Sequence, residues 1–320
     1  MSEAATIEAL IDAELAAVQP VARDVNLYEF RSSDGRGLPP AAAGSHIDLH
    51  LANGLVRQYS LIRPEPGPAV YVVAVKRDAQ SRGGSRFVHE TLRPGARLNI
   101  SAPRNNFPLE ERAPHTVLIA GGIGITPIWS MVQRLEALGR PWQLHYACRS
   151  RDDAAFRDEL AARSPARFHF DDEAGGTLLD IGAIVAGAPA AAHLYCCGPA
   201  PMLAAFEAVT AAWPRPQVHV EYFTAREAPA TEGGFVIELR RSGRELVVPS
   251  GKTILETVRA AGIAAASSCE AGICGTCETR VISGIPDHRD QWLSEDERAA
   301  NKTVMICCAG CKSGRLVLDL

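Results

Sequence analysis

The sequence lacks an excess of charge of one sign and any long apolar run, and each absence argues against a class of protein. Its 33 basic and 37 acidic side chains give a formal net charge of -4. There is thus no general basic field that would favour nucleic acid or an anionic membrane as a partner. No window approaches the roughly 18 uninterrupted apolar residues of a membrane-spanning helix. We therefore expect no nucleic-acid partner and no membrane span.

The N-terminus also lacks the basic start and apolar run of an export signal. Instead it carries Glu3, Glu8, Asp12 and Glu14 at an amphipathic spacing. The nine cysteines are an odd number, and six of them lie between positions 269 and 311. That clustering is a poor pattern for a secreted disulfide framework. We therefore expect a cytoplasmic protein whose clustered thiolates bind a metal group.

The 320 residues are enough for two or three domains, and the hydrophobic rhythm changes along the chain. Short β runs up to about residue 110 predict an antiparallel sandwich or barrel. Alternating strands and helices over 111–225, including helices near 126–138 and 154–162, predict a parallel α/β sheet. The polar segment 226–234 is predicted to be a linker, and 235–320 a third, α+β domain.

Three cysteines in the last domain have the spacing of an iron–sulfur loop. Cys269, Cys274 and Cys277 form C-x4-C-x2-C, and Cys307 follows further along the chain. This spacing agrees with the plant-type ferredoxin ligand run. Small residues between the ligands allow the loop to turn back on itself. Zinc is the alternative, but structural zinc sites favour C-x2-C pairs.

The fourth ligand has three candidates, because Cys307, Cys308 and Cys311 lie within five residues of one another. We predict Cys307, which follows the apolar run VMI, and keep Cys308 as the alternative. Cys311 is predicted to be a free thiol. Cys148 and Cys196 fall in predicted strands and are expected to be inert core residues.

A candidate flavin site begins at the R-x-Y-S segment in a β run of the first domain. Strand alternation sends Arg57 and Tyr59 to one face, while Ser60 offers hydrogen bonds from the other. An aromatic ring can cover a flavin, and an arginine can pair with its phosphate. The alternative is an ordinary solvated strand face.

Two further features of the same domain favour the flavin. Lys76 ends the apolar run AVYVVAVK, and Arg82, Gly83, Gly84 and Ser85 precede a predicted helix. Glycines let backbone N–H groups approach a phosphate, and a helix N-terminus favours an anion. A flexible surface turn would explain the loop alone, but not its coincidence with the other two features.

A candidate nucleotide site follows the strand TVLIA, where GGIGITP (121–127) leads into a helix. The first strand-to-helix turn of a dinucleotide fold binds pyrophosphate. Pro127 replaces the third glycine of the full fingerprint, although proline suits a first helical turn. Further on, Cys197 and Gly198 end a short strand and would let a flat ring approach the backbone. The alternative there is an ordinary turn with a buried cysteine.

The motifs R-x-Y-S, GGIGITP, CGP and C-x4-C-x2-C occur in this order, and residues 15–320 resemble the phthalate dioxygenase reductase family, which includes the vanillate O-demethylase reductases. The segment His288 to Asp290, the closing RLVLDL and the distance of Cys307 from that last strand also look like this family. The resemblance implies an FMN-binding antiparallel β-barrel, an NADH-binding α/β domain and a C-terminal plant-type ferredoxin domain of β-grasp fold. With the limits drawn above from the hydrophobic rhythm, these domains are predicted to span 1–110, 111–225 and 235–320, with 226–234 as the linker.

The same resemblance implies site residues in the first two domains. The implied FMN contacts are Arg57, Tyr59, Ser60, Lys76, Gly83, Gly84 and Ser85, with Phe223 near the isoalloxazine. Without the resemblance, Phe223 would be read as core or as an aromatic at the carboxyl edge of the sheet. The implied pyridine-nucleotide contacts are Gly122, Gly124 and Thr126, with Cys197 near the nicotinamide and Gly198 beside it.

The choice between NADH and NADPH rests on the residues after the strand WQLHYAC. Arg149 and Arg151 stand where a reader of the 2′-hydroxyl would be Asp or Glu, and arginine suits a 2′-phosphate. Asp171 and Asp172, after the next strand, could instead bind the ribose. Because the family resemblance implies NADH, we predict NADH.

The predicted reaction is electron transfer from NADH through FMN to the cluster and on to a partner Rieske-type oxygenase. A nicotinamide delivers two electrons together and a [2Fe–2S] cluster accepts one, so a flavin is needed between them. One alternative is an electron carrier whose first two domains have lost their cofactors. Another is a flavoprotein that reduces dioxygen and has an accessory cluster.

Overall fold

The computed structural model describes residues 10–63, 67–79, 83–163 and 165–320, which form two compact units, Met1–Phe223 and Thr224–Leu320. Arg82, Glu3 and Glu8 lie outside the described residues. Within the described ranges, no helix has both the length and the apolar character needed to cross a bilayer.

The first unit begins with a closed antiparallel barrel. Its six strands have the spatial order β4-β3-β6-β1-β2-β5. A bridge from Leu61 to Val73 and a hydrogen bond from Ile62 N to Val72 O (3.0 Å) join the two ends of the sheet. The elements are β1 (Ile11–Ala22), β2 (Val25–Ser32), β3 (His46–His50), β4 (Val56–Ser60), β5 (Tyr71–Lys76), α1 (Gly84–Thr91) and β6 (Arg97–Ile100).

Strand β5 is buried on both faces, which explains its unbroken apolar sequence. Tyr71, Val73 and Val75 point into the barrel core. The alternate residues Val72 and Ala74 belong to a second core, shared with the helix that follows the glycine-rich turn. This packing joins the barrel to the α/β part of the same unit.

The α/β part is a parallel five-stranded sheet in the order β11-β10-β7-β8-β9. The chain builds β7, β8 and β9 in one direction and then returns to place β10 on the other side of β7. The switch point therefore lies between β7 and β10, where open α/β sheets bind ligands at the carboxyl ends. The elements are β7 (Thr116–Gly121), α2 (Ile125–Ala137), β8 (Trp142–Cys148), α3 (Arg157–Ala161), β9 (Ala166–Phe170), α4 (Ile181–Ala186), β10 (His193–Cys197), α5 (Ala200–Thr210) and β11 (Val218–Glu221).

The helix predicted over 154–162 is shorter in the structure. A 3-10 turn at Arg151–Asp153 precedes α3, and Phe156 between them has a left-handed backbone with φ of 59°. The Phe156 ring stacks on Trp129 of α2 at 5.9 Å between centroids. Burial of this ring fixes a backbone conformation that a continuous helix would not allow.

The second unit is a β-grasp fold around a mixed sheet in the order β13-β12-β18-β14-β16. Strands β12 and β18 are parallel, and the other neighbours are antiparallel. Helix α6 packs on this sheet and begins with a capping box formed by Thr253 and Glu256. The elements are β12 (Phe235–Leu239), β13 (Arg244–Val248), α6 (Ile254–Ala260), β14 (Glu278–Ser283), β15 (Pro286–Asp287), α7 (Glu295–Ala300), β16 (Thr303–Met305), β17 (Gly310–Cys311) and β18 (Arg315–Leu318).

The segment predicted to be a linker is held by the second unit in its later half. Ala230 is buried, and its N–H donates to the carbonyl oxygen of Cys308 at 2.8 Å. The carbonyl of Thr231 accepts from Gly251 N at 2.7 Å. These contacts place the end of the linker segment beside the cysteine-rich part of the chain.

Candidate functional site

The predicted flavin residues lie on β4, β5 and the start of α1. Arg57, Tyr59 and Ser60 are on β4, Lys76 ends β5, and Gly83 is the residue before α1, with φ of 95°. Ser60 is buried, and Tyr59 packs partly buried against the barrel core, where burial raises the pKa of its hydroxyl. The hydroxyl of Ser85 accepts a hydrogen bond from Asp78 N at 3.2 Å.

Arg57 lies directly over the first residue of α1. A Cβ added to Gly84 would approach Arg57 Cγ to 2.6 Å and Nε to 2.7 Å. Arg57 of the strand motif and Gly84 of the glycine loop, 27 positions apart in the sequence, are therefore in contact. A guanidinium beside a helix N-terminus combines two groups that favour a phosphate. These residues can hold the phosphate of a flavin mononucleotide.

The predicted nucleotide residues meet at the switch point of the parallel sheet. Gly122 and Gly124 form a 3-10 turn between β7 and α2. A Cβ on Gly124 would lie 2.2 Å from the Cys197 carbonyl oxygen and 2.8 Å from Gly198 N. A Cβ on Gly198 would lie 3.2 Å from Gly121 Cα. Only glycines allow the two turns to come so close, and this leaves backbone rather than side chains at the ligand-binding edge.

Thr126 and Cys197 are enclosed by the fold. Thr126 is 2% exposed, and its hydroxyl donates to Ile123 O at 3.0 Å, so it stabilises the first turn of α2. Cys197 is 1% exposed, and burial raises the pKa of its thiol well above the ordinary value, with a further contribution from Glu221. Phe223, the last residue of the first unit, is 38% exposed. Its ring is available to a ligand.

Glu221 is a site residue that the sequence reasoning did not assign. It ends β11 directly opposite Cys197 in the strand register. Its Oε2 is buried with no hydrogen-bond partner among the residues described, and burial raises the pKa of the carboxyl to about 8. The sequence feature that could have indicated Glu221 is its position at the carboxyl end of a predicted strand, two residues before Phe223.

The four predicted cluster ligands are buried and contact one another through their sulfurs. The Cys269 thiol interacts with Cys274 and Cys307, and Cys307 also interacts with Cys277. Donation from Cys269 and Cys277 lowers the pKa of Cys307, which favours the thiolate form that binds iron. Over the part of the chain that is described, no three His, Cys, Asp or Glu side chains converge on the position of a single ion.

Two glycines shape the loop that carries these sulfurs. Gly272 and Gly275 have φ of 69° and 74°, and both pack against the segment that follows β15. A Cβ on Gly272 would lie 3.0 Å from Asp290 Cα, and one on Gly275 would lie 2.4 Å from the Trp292 ring. Asp290 and Trp292 were not assigned from the sequence, because nothing local connects them to the cysteine loop.

Of the other two cysteines near the fourth ligand, Cys308 has its sulfur beside the cluster loop, 2.6 Å from a Cβ added to Gly272. The Cys308 thiol donates weakly to Met305 O at 3.7 Å, and among the four proposed ligands it interacts directly with Cys307. Cys311 lies on β17, with its sulfur 3.6 Å from Ser313 Oγ. Cys148 and Cys196 are buried in β8 and β10, where the sequence placed them.

Comparison with known proteins agrees with the description of both the nucleotide site and the cysteine cluster. The model of the 2Fe–2S iron–sulfur cluster binding domain matches residues 237–312, and the model of the oxidoreductase NAD-binding domain matches 118–171. The chain is 53% identical over 322 residues to the phenoxybenzoate dioxygenase subunit beta of Ectopseudomonas oleovorans, and the match covers all of both chains. It is 38% identical to the solved structure of phthalate dioxygenase reductase, with a TM-score of 0.78 and coverage of 97% and 98%.

The chain belongs to the phthalate dioxygenase reductase family. Membership confirms the predicted fold class and the cofactor set of FMN, NADH and one [2Fe–2S] cluster. The protein is an oxidoreductase of the kind that serves oxygenase systems, passing electrons from NADH to the cluster. The 2Fe–2S domain model spans all four predicted ligands, so an iron–sulfur centre is favoured over zinc.

One further structural match concerns a different kind of electron acceptor. The chain resembles an intact type IV self-sufficient cytochrome P450 monooxygenase at 40% identity, with a TM-score of 0.82. The match covers 97% of this chain and 41% of that protein. A segment similar to nearly all of this chain therefore occurs within a longer monooxygenase.

Proposed function

We propose that this family member is the reductase of a Rieske-type oxygenase, to which it delivers single electrons in a transient complex. The observation that carries the proposal is the group of four buried sulfurs in the C-terminal unit, on a chain that also has a flavin barrel and a nucleotide domain. Bound FMN supplies the conversion between a two-electron donor and a one-electron acceptor. The residues of this chain bind and orient the flavin, the nicotinamide nucleotide and the cluster.

In the first unit, the barrel residues hold the flavin phosphate and expose the ring. Arg57 on β4 and Lys76 at the end of β5 supply positive charge, and the start of α1 supplies backbone N–H groups. Tyr59 and Ser60 on β4 would contact the flavin ring, and Gly83, Gly84 and Ser85 at the start of α1 would hold its phosphate. Phe223, two residues after β11, would contact the isoalloxazine of the bound flavin.

The switch point of the sheet holds the nicotinamide nucleotide. Gly122 and Gly124 border the pyrophosphate, and the buried Thr126 fixes the turn that presents them. Cys197 and Gly198 present a backbone edge that would hold the nicotinamide. Glu221, beside Cys197, is a buried acid that can hold a proton at neutral pH and would donate a hydrogen bond to the carboxamide of a bound nicotinamide.

In the second unit, Cys269, Cys274, Cys277 and Cys307 bind the two irons. Cys307 is preferred over Cys308 because it interacts with both Cys269 and Cys277. The thiol of Cys308 is directed towards a backbone carbonyl.

The domain limits proposed are 1–110, 111–225 and 235–320, with 226–234 between the last two. A cytoplasmic location fits nine cysteines that are all free.

A cytochrome P450 is the second candidate acceptor, and the favouring observation is the resemblance to the monooxygenase described above. The deciding experiment mixes catalytic amounts of the full-length protein with NADH and an excess of either a purified Rieske-type oxygenase or a purified P450, without oxygen. We expect the Rieske centre to become reduced, as seen by its EPR signal. Faster formation of the ferrous carbon monoxide complex of the P450 would contradict the Rieske assignment. The Cys277→Ser variant should reduce neither acceptor.

A further inference from the structure

A cleft of about 700 Å³ lies next to the carboxyl ends of β8 and β9. It is lined by Arg151, Arg157, Asp158, Phe170 and Glu173, among others. Arg151 stands three residues after Cys148, the last residue of β8, which is the neighbour of the strand that leads into the glycine turn. In dinucleotide folds, the residue that reads the ribose 2′ position follows this second strand. The cleft therefore lies where the adenosine ribose is read.

Backbone hydrogen bonds connect the two loops that form this cleft. Asp171 N donates to Cys148 O at 3.0 Å, and Asp172 N donates to Arg149 O at 3.1 Å. The loop after β9 is thus fixed against the loop after β8. This brings Glu173, 22 positions away in sequence, to the side chain of Arg151.

Arg151 is already engaged on two sides. Its guanidinium makes a two-point ion pair with the Glu173 carboxylate, one contact being Nη2 to Oε2 at 2.9 Å. The same guanidinium lies over the Phe170 ring, 4.9 Å from the centroid. The hydrogen bonds from Arg151 lower the pKa of Glu173, so the carboxylate is charged at neutral pH.

The charges of the cleft are balanced as a consequence. Arg157 has its own carboxylate partner in Asp158 at 3.1 Å, so both arginines of the lining are paired. A 2′-phosphate brings about two negative charges and needs unpaired donors. The 2′-phosphate would meet the Arg151 guanidinium, whose N–H donors already bind Glu173. The negative charge of the Glu173 carboxylate would lie beside the phosphate. A 2′-hydroxyl meets no such repulsion.

We propose that Glu173 makes this site selective for NADH by holding Arg151 in an ion pair and by repelling the 2′-phosphate of NADPH. Arg151, one of the two arginines after β8 that suggested NADPH binding in the sequence, is thereby prevented from acting as a phosphate ligand. Selectivity of this kind comes from a repulsive element directed against the wrong ligand. The inference rests on the proposed nucleotide site in the same unit.

The chain offers a closely matched control pair. Arg163 donates from Nε to both carboxylate oxygens of Glu136, at 2.9 and 3.0 Å. Its guanidinium lies over the Trp129 ring, 4.8 Å from the centroid. This pair has the same chemistry, but neither residue lines the cleft. Glu136→Gln therefore removes an equivalent charge and ion pair away from the ribose position.

The test measures flavin reduction in the full-length holoenzyme by NADH and by NADPH, under anaerobic stopped-flow conditions over a range of concentrations. The wild type should prefer NADH. Glu173→Gln should lower the NADH-to-NADPH ratio of second-order rate constants about fivefold, mainly by speeding reduction by NADPH. Added salt should reverse part of that gain. Glu136→Gln should leave the ratio unchanged, and Glu173→Gln combined with Arg151→Gln should restore the preference for NADH.

Three results would overturn the proposal: an unchanged ratio in Glu173→Gln, an equal shift in Glu136→Gln, or a gain with NADPH that persists after Arg151 is removed. Each of these three results can be obtained only if NADH still reduces the flavin of the variant. A wild type whose flavin is not reduced by NADH would contradict the proposed function itself. The two failures are therefore distinguishable in one set of traces.

Discussion

Gly124 packs so tightly on Cys197 that a Cβ at position 124 would lie 2.2 Å from the Cys197 carbonyl oxygen. The contact joins the turn after β7 to the end of β10, on the two sides of the topological switch point. Because backbone lies against backbone here, a flat ligand can reach the edge of the sheet without meeting a side chain.

Replacing Gly124 by alanine should therefore damage both the fold and nucleotide binding. The new methyl group must push the two turns apart, which costs about 1–3 kcal/mol of unfolding free energy. Urea unfolding should show that loss, and flavin reduction should need a higher concentration of NADH. Gly37→Ala is the control, since Gly37 has no heavy atom within 4 Å of an added Cβ. Equal behaviour of the two variants would contradict the importance of the contact.

Arg57 is expected to bind the flavin phosphate. Arg57→Ala should weaken FMN binding about tenfold or more, because a hydrogen bond to a charged group is lost. Arg57→Lys should be intermediate, since lysine keeps the charge without the two-point geometry. Flavin content of the purified protein and titration of the apoprotein with FMN measure the effect. Arg31→Ala, which removes an exposed partner of Glu14 on the barrel, should keep full flavin content; normal FMN affinity in Arg57→Ala would refute the assignment.

The fourth cluster ligand can be decided by two single substitutions. Cys307→Ser should lose the normal EPR signal of the reduced cluster, because Cys307 is the proposed fourth ligand. Cys308→Ser should retain the signal, because Cys308 is not among the four proposed ligands. The opposite pattern would make Cys308 the ligand. Cys277→Ser should abolish the cluster signal while NADH still reduces the flavin, since the flavin and nucleotide residues belong to the other unit.

Glu221 should make stability depend on pH. Burial raises the pKa of its carboxyl to about 8 in the folded protein, from an ordinary value of 4.5. Its contribution to stability is therefore fully present below pH 4.5 and is lost as the pH rises to about 8, by at most about 1.4 kcal/mol per pH unit. Glu221→Gln should flatten that part of the profile in thermal unfolding from pH 5 to 9. Exposed Glu159→Gln is the comparison, and identical profiles for wild type and Glu221→Gln would rule out the effect.

The sequence was sufficient for features whose signal is local. Alternating strands and helices predict the parallel sheet, and glycines placed directly after a strand predict the turn at 122–124. The spacing of Cys269, Cys274 and Cys277 likewise carries its own chemistry. The family resemblance added the identity of the flavin and the β-grasp fold.

Features that depend on distant residues were not predicted. The need for glycine at 272 and 275 comes from Cys308, Asp290 and Trp292, which pack against the loop from other parts of the chain. The helix near 154–162 was predicted too long, because the stacking of Phe156 on Trp129 is a tertiary contact. The pairing of Arg151 with Glu173 also depends on two loops meeting, and it alters the meaning of an arginine that looked like a phosphate ligand.

The most direct test of the electron path is an anaerobic titration of the full-length protein with NADH, followed by visible and EPR spectra and identification of the released flavin. The account predicts that NADH reduces a bound flavin identified as FMN and that the EPR signal of a reduced [2Fe–2S] cluster appears in the same protein. A protein without NADH-reducible flavin, or one whose cluster stays oxidised while the flavin is reduced, would contradict it.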